Sequence, residues 1–262
     1  QKFGAEFAIP AQVISLQARD EAEEGGFILT LTDGERVTAR AVVIASGVRY
    51  RRLGVENVGD FEGSNVHYWA SPLEGKLCSK QEVVLVGAGN SAGQAVVYLA
   101  SRAAKVWLLA RGSDIAASMS QYLVDRIGGL ANVEVQTRTE ITRLEGSDGV
   151  LDAIHWRTAS GEDVRREIHH LFLFIGADPE SDWLSGSGVR LDGKGFVLTG
   201  AAAGDGGAYL ATSVPGVFAI GDIRAGSIKR VAAGVGEGAQ VVAALHAFLA
   251  SANHNRPADT AV

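Results

Sequence analysis

Apolar positions in this chain of 262 residues fall into two signatures. The first is an alternating hairpin that runs into a short continuous apolar strand and stops at glycine. Phe27-Ile-Leu-Thr-Leu-Thr32, the turn Asp33-Gly34 and the stretch from Val37 to Ile44 form one instance, closing at Ala45-Ser46-Gly47. Ala153 to Arg157, a turn at Ser160-Gly161, and Val164 through Leu171-Phe-Leu-Phe-Ile175-Gly176 form another. The second signature is a buried strand that enters a glycine turn and leaves as a helix. Val83 to Val86 make the strand, and Ala92, Ala95, Val96 and Leu99 fall on one helical face. Lys105 to Ala110 reads as a second parallel strand, Ile115 to Ile127 as a helix and Val133 to Gln136 as a third strand. Residues 1–26 show no capped element, and 48–81 reads as a connector rich in Pro, Gly and charge. Gly186 to Gly207 is turn-rich, Val217 to Ile220 is a short strand, Val231 to His246 is a helix of small residues, and 251–262 is a polar tail expected to be disordered.

The glycine turn carries the clearest chemistry. Gly87, Gly89 and Ala92 occupy the small-residue positions of G-x-G-x-x-G/A. The first permits the tight turn, the second lets backbone approach a pyrophosphate, and the third lets strand and helix pack closely. Free N–H groups and the positive dipole end of the following helix complete an anion site. An NAD-selective turn places an acid about 20 residues further on, at the end of the next strand. Here that position falls in Leu109-Ala-Arg-Gly-Ser113, where Arg111 suits a 2′-phosphate better than a free ribose, with Ser113, Ser118 and Ser120 as further donors. Asp222 lies just past the strand at 217–220, where open α/β sheets bind ligands.

Charge and composition narrow the classes. A net charge of −6 without a basic cluster argues against nucleic acid or an anionic membrane as partner. No run of about 18 apolar residues is found, so no membrane span is expected, and no secretory segment opens the chain. The single cysteine, Cys78, excludes an internal disulfide framework and an intrachain dithiol, and the cytoplasm is the expected compartment. Cys78 reads as a small buried hydrophobe, while His67 and His155 read as structural. His169-His170 lack partner ligands, so no metal site is expected.

The recurring hairpin points to an internal duplication of a dinucleotide-binding unit. In the second copy the closing Gly176 follows the opening Gly87 by 89 residues. The same offset from Gly47 places the first copy's glycine turn about 40 residues before Gln1, so the chain reads as a fragment.

These residues resemble the thioredoxin-reductase-like flavoproteins of the pyridine nucleotide-disulfide oxidoreductases, across almost the whole chain. Ala45-Ser46-Gly47 resembles that family's crossing from FAD to NADPH domain, and Gly87-Ala-Gly89-Asn90-Ser91-Ala92 its NADPH turn. Phe174-Ile175-Gly176 resembles the strand end closing the NADPH domain. Gly221-Asp222 resembles the pair that holds the ribityl-phosphate region of FAD, and Lys229-Arg230-Val231 with Gly236-Glu-Gly238 the segment beside the flavin ring. The family's Cys-x-x-Cys is replaced by Tyr68-Trp-Ala-Ser-Pro-Leu73.

The resemblance implies an α/β fold of two dinucleotide-binding (three-layer ββα, Rossmann-like) domains, the NADPH domain inserted in an incomplete FAD domain. The expected boundaries are 1–74 (FAD domain, middle part), 75–182 (NAD(P)H domain), 183–250 (FAD domain, C-terminal part) and 251–262 (tail), with hinges at 65–81 and 176–190. The implied activity is transfer of hydride from NADPH to FAD and on to an acceptor. That acceptor is a disulfide protein with thiols elsewhere, a ferredoxin or flavodoxin, or a small molecule. The alternatives are a ferredoxin/flavodoxin-type NADP reductase and a non-catalytic NADPH-binding redox sensor. A homodimer is a further expectation of the resemblance.

Overall fold

The computed structural model describes residues 4–19, 25–204 and 207–254, so the expected polar tail lies outside the described residues from position 255 onward. The chain divides into two compact units, Gln1–Arg49 with Ala177–Val262, and Tyr50–Gly176.

The first unit opens with a three-stranded antiparallel meander, β1 (Val13–Ala18), β2 (Phe27–Leu31) and β3 (Arg36–Ala39). β2 and β3 meet across Asp33-Gly34, where the Gly34 amide donates to the Leu31 carbonyl (3.0 Å) and Asp33 Oδ1 accepts from the Glu35 amide (3.0 Å). β1 lies within 1–26, where the sequence shows no capped element; its alternation is short, with Leu16 buried and Gln17 outward. The strand expected over 37–44 is two. The chain breaks at Arg40-Ala41 and re-enters as β4 (Val42–Ile44), because Val42 and Ile44 turn into a core with Leu16 and Phe27 while Val37 stays exposed. β5 (Val48–Tyr50) ends this passage.

The second unit contains β6 (Val66–His67), α1 (Pro72–Leu77), β7 (Glu82–Val86), α2 (Asn90–Ala100), β8 (Lys105–Ala110), α3 (Gln121–Gly128), β9 (Val133–Thr137), β10 (Glu140–Ser147), β11 (Val150–Arg157), β12 (Asp163–Arg166) and β13 (Leu171–Leu173). Its centre is a five-stranded parallel sheet in the order β6-β13-β7-β8-β9. β7 is apolar without alternation because both of its faces are covered. Val83 and Leu85 pack with Ala92, Val96 and Leu99 of α2, and Val84 and Val86 pack with Leu144, Ile154 and Trp156 of the β10-β11-β12 meander.

Two expectations change here. The helix over 115–127 is a 3₁₀ turn, Ile115–Ala117, followed by α3. Asp114 Oδ1 caps the turn at the Ala116 amide (2.8 Å), Ser118 then leaves helical geometry, and the Ser120 amide is taken by Asn90 Oδ1 (2.7 Å). The connector at 48–81 is largely structured. Val58, Phe61 and Val66 enter the core, β6 pairs with β13, and α1 starts at a capping box of Ser71 and Glu74 with Pro72 in its first turn. Residues 50–74 therefore belong to the second unit. The unit limits fall at 49/50 and 176/177, where the sequence suggested 74/75 and 182/183.

The chain returns to the first unit through β14 (Ala177–Pro179), which pairs with β5, then β15 (Val217–Ala219) and α4 (Val231–His254). β15 runs parallel to β4, with Val217, Phe218 and Ala219 beside Val42, Val43 and Ile44. α4 packs Val241 against Leu210 and Phe218. By length and composition Val231–Ser251 passes as a membrane-crossing helix. The apolar run is broken by Glu237, Gln240 and His246, so one such helix, judged by length and composition alone, does not overturn the expectation of no membrane span. The Glu237 carboxylate is buried within the first unit.

The repeat is deeper than the sequence suggested. Each unit carries a three-stranded antiparallel meander leading into a buried parallel strand, β1-β2-β3 into β4 and β10-β11-β12 into β13. Each of those strands is followed by a glycine at positive φ, Gly47 at +70° and Gly176 at +99°.

Candidate nucleotide sites in the two units

The glycine turn of the second unit leaves β7 at the carboxyl end of the sheet. Gly87 continues the ladder through its amide, which donates to the Leu109 carbonyl (3.0 Å), and then turns at φ +153°. A Cβ at this position would lie 2.6 Å from the Phe174 carbonyl oxygen and 3.0 Å from Ala92 Cβ, so the close strand–helix approach requires glycine. Gly89 is the N-cap of α2, has open space where its side chain would be, and receives no side-chain cap. The first amides of α2, at Asn90, Ser91 and Ala92, thus face the space a phosphate would fill. The residues fit a pyrophosphate.

Neighbouring serines brace this turn. Ser118 Oγ donates to the Ala88 carbonyl (2.9 Å), and the Ser120 amide donates to Asn90 Oδ1 (2.7 Å). Ser118 and Ser120, expected as phosphate donors, therefore hold the loop in shape. Gly93 lets this segment approach, since a Cβ there would meet Met119 Sδ at 2.7 Å. Arg111 stands exposed at the end of β8 and lines a cavity of about 180 Å³ with Val86, Ile175 and Arg51. Arg51 was not singled out by sequence, where it falls in the connector at 48–81.

In the first unit Gly221 and Asp222 follow β15 in a 3₁₀ turn. Around them lies a buried network that sequence reading missed. Arg224 and Glu237 are 5% and 7% exposed. Arg224 Nη2 bonds Glu237 Oε1 (2.5 Å) and the Tyr209 hydroxyl (2.8 Å), and Nη1 donates to Thr199 Oγ1 (3.0 Å). Glu237 Oε2 accepts from the Gly221 amide (2.6 Å), fixing the turn to α4. Burial raises the Glu237 carboxyl pKa, but Arg224 and the Gly221 amide outweigh it and the net shift is downward. Lys229 Nζ donates to the Asp222 carbonyl (3.1 Å) and lies 4.4 Å from the Phe196 ring, while Arg230 and Val231 are exposed. Ser46 Oγ donates to the Glu180 carbonyl (2.8 Å), and the Glu180 amide donates to the Gly47 carbonyl (3.2 Å), so Ala45-Ser46-Gly47 ties together the two passages of the chain. Among the described residues this unit has no glycine turn opening a helix from a parallel strand.

The remaining candidates are structural. Cys78 is fully buried, and burial pushes its thiol pKa up. His155 Nε2 bonds Glu145 Oε2 (2.8 Å). His67 and His170 form a buried pair, Nε2 to Nδ1 at 3.2 Å with rings stacked at 5.4 Å. Burial first, then the neighbouring histidines, pushes His170 down to about 4, and burial lowers His67.

A dinucleotide-binding fold that occurs twice in one chain, with one copy set inside the other, defines a class of two-nucleotide redox proteins. The chain belongs to the pyridine nucleotide-disulphide oxidoreductase family, whose pattern matches residues 6–238. It is 31% identical over 239 residues to a thioredoxin reductase of Mycoplasmopsis pulmonis, covering 91% of this chain and 72% of that protein. It is 31% identical over 229 residues to a component of the alkyl hydroperoxide reductase of Pseudomonas putida, covering 87% of this chain and 42% of that one. The fold superposes on the crystal structure of T. acidophilum thioredoxin reductase with a TM-score of 0.68 at 25% identity, over 92% of this chain and 74% of the other. The α/β, Rossmann-like fold expected from sequence is thus the fold of the family, and FAD and NADPH are the cofactors of these oxidoreductases.

Proposed function

We propose that the chain passes hydride from NADPH towards FAD and on to an acceptor outside its own sequence. The second unit takes NADPH, and the first unit is the flavin-facing part. Together the two cofactors supply hydride transfer from nicotinamide to flavin. The protein's part is to bind and orient. Gly87, Gly89 and the amides of Asn90, Ser91 and Ala92 receive the pyrophosphate, and Arg111 pairs with the 2′-phosphate. Ile175 and Gly176 border the nicotinamide end. On the other unit Gly221 and Asp222 meet the ribityl-phosphate region, held by Arg224 and Glu237, with Lys229-Arg230-Val231 beside the ring and Ala45-Ser46-Gly47 at the crossing.

The observation that carries this reading is the turn at Gly87, where the fold admits only glycine and leaves the helix N-terminus open. Trp69 and Pro72 stand in the Trp-Ala-Ser-Pro segment that replaces the family's dithiol, so electrons leave to an external disulfide protein, a ferredoxin or flavodoxin, or a small molecule. We place the protein in the cytoplasm, as a homodimer. Stopped-flow mixing of NADPH with the FAD-supplemented chain, followed by each acceptor class in turn, tests the reading. Flavin bleaching by NADPH and re-oxidation by one class supports it. A second reading, an NADPH-binding sensor without turnover, is favoured by the lack of a second glycine turn among the described residues; saturable NADPH binding with no bleaching would select it.

A further inference from the structure

The two buried histidines of the second unit meet beside the shortest strand pairing of its sheet. β6 is an edge strand of two residues, joined to β13 through Val66 beside Leu171 and His67 beside Phe172. His67 and His170 are each 8% exposed and face each other with Nε2 3.2 Å from Nδ1, and the His67 ring tilts over Phe172 at 4.8 Å. One of the facing nitrogens must donate and the other accept. A first added proton leaves a donor facing an acceptor, whereas a second sets two N–H groups and two positive charges against each other in a buried site. The neighbours offer little relief. On α1, Glu74 favours a protonated His67, but its oxygens already accept from Trp69 Nε1 (3.1 Å) and the Ser71 amide (2.8 Å). On the β13 side His169 disfavours a proton on His170, while its own Nδ1 bonds the Leu151 carbonyl (2.7 Å). β7 meets His170 through the Val84 amide, which donates to the His170 carbonyl (3.0 Å), and α2 meets α1 through the Tyr98 hydroxyl, which donates to the Ser71 carbonyl (3.3 Å). Past β6, Tyr68 donates to Glu62, a carboxylate that also takes a two-pronged bond from Arg52 (2.8 and 2.6 Å).

We propose that the His67–His170 pair is an acid-operated latch: uptake of protons by both rings releases β6 from β13 and frees the segment from His67 to Cys78, while β7, β8 and α2 stay folded. The segment is built to move as a piece. α1 is capped by its own Ser71 and Glu74, and the Cys78 amide donates to the Glu74 carbonyl (3.0 Å), so these bonds travel with it. What opening exposes is the Cys78 side chain, which lies fully buried in a cluster with Phe172 and Val83. Burial holds both imidazoles towards the neutral form, so the closed state resists protons that the open state accepts. The closed state is therefore fully favoured above the ordinary histidine pKa of about 6.5 and loses ground as pH falls towards the His170 value of about 4. The latch is independent of which nucleotide or acceptor the unit serves.

Cys78 is the chain's single cysteine and ends the released segment, so its reaction with 4,4′-dithiodipyridine reports opening. Dividing each rate by that of the same chain unfolded in urea at the same pH removes the pH dependence of thiol and reagent. Protection of Cys78 is expected to be constant above a pH of about 6.5 and to fall at least about tenfold by a pH of about 4.5. Amide exchange measured alongside should show protection retained in β7, β8 and α2. His67→Gln and His170→Phe leave one ring with no charged partner to repel, so each should cut the loss to a few-fold, and either variant that folds suffices. Should neither fold, the gap between Cys78 exposure and sheet exchange in the unaltered chain decides. Equal loss in the unaltered chain and a folded variant, loss in step with β7, β8 and α2, or unchanged protection across the range overturns the latch.

Discussion

The two units share one plan and differ in how much of a nucleotide site each completes. In the second, the strand after the meander, β13, pairs on one edge with β6 and on the other with β7, which delivers the glycine turn. In the first, the corresponding strand β4 pairs only with β15 among the described residues. The second unit therefore assembles strand, turn and helix N-terminus from contiguous sequence. What the first offers a ligand is a single turn, Gly221-Asp222, stiffened by a buried ion pair. A phosphate site built from backbone amides needs close packing, whereas one built on a charged network needs its counter-charge.

That contrast sets different points of failure. The largest effect is expected from Glu237→Ala, which strands the buried Arg224 guanidinium and should cost about 3–5 kcal/mol. Hydrogen exchange should show the loss in the first unit, with protection in β7, β8 and α2 retained. Loss spread evenly over both units would erase the distinction. Gly87→Ala comes next. Its Cβ would press into the Phe174 carbonyl at 2.6 Å, so about 3 kcal/mol of destabilisation in the second unit and loss of NADPH binding are expected. Gly221→Ala, with φ +72° and nothing within 4 Å, should cost only about 1 kcal/mol.

Acid is expected to act on the second unit through His67 and His170. In the folded chain these rings stay neutral below the ordinary pKa of about 6.5, whereas in the unfolded chain they take up protons. Stability is therefore full above that value and falls as pH drops towards His170's value of about 4. The loss should be on the order of 2 kcal/mol across the window, and His170→Phe should flatten it in urea unfolding followed against pH. The other groups facing the pair are Glu74, whose charge favours the protonated His67 ring, and His169, which disfavours protonation of His170. The smallest effect is Ser118→Ala. Removing its bond to the Ala88 carbonyl should cost about 1 kcal/mol and weaken NADPH severalfold in a direct titration.

Much of the second unit was legible because its signals are local. The run Val83–Val86, the glycines behind it and the helical face at Ala92, Ala95, Val96 and Leu99 lie within one stretch, and each restricts the next. The first unit was less legible. β1 has a single buried residue to mark it, and the break at Arg40-Ala41 is decided by which face of the meander reaches the core. The network of Arg224, Thr199, Tyr209 and Glu237 joins residues 10 to 38 positions apart, and no periodicity announces a buried charge. Arg51 was hidden for the same reason, since its relation to Gly176 exists only once β5 and β14 have brought the two passages of the chain together. The helix at 115–127 failed because its serines serve the glycine turn and leave the helical pattern.

The central claim is that the second unit is a self-sufficient NADPH site. Titration of the ¹⁵N-labelled chain with NADPH tests it most directly. The account predicts saturable shifts at the amides of Gly87, Gly89, Asn90, Ser91 and Ala92, with NADPH bound more tightly than NADH. Shifts confined to the first unit, or no saturation with either nucleotide, would contradict it.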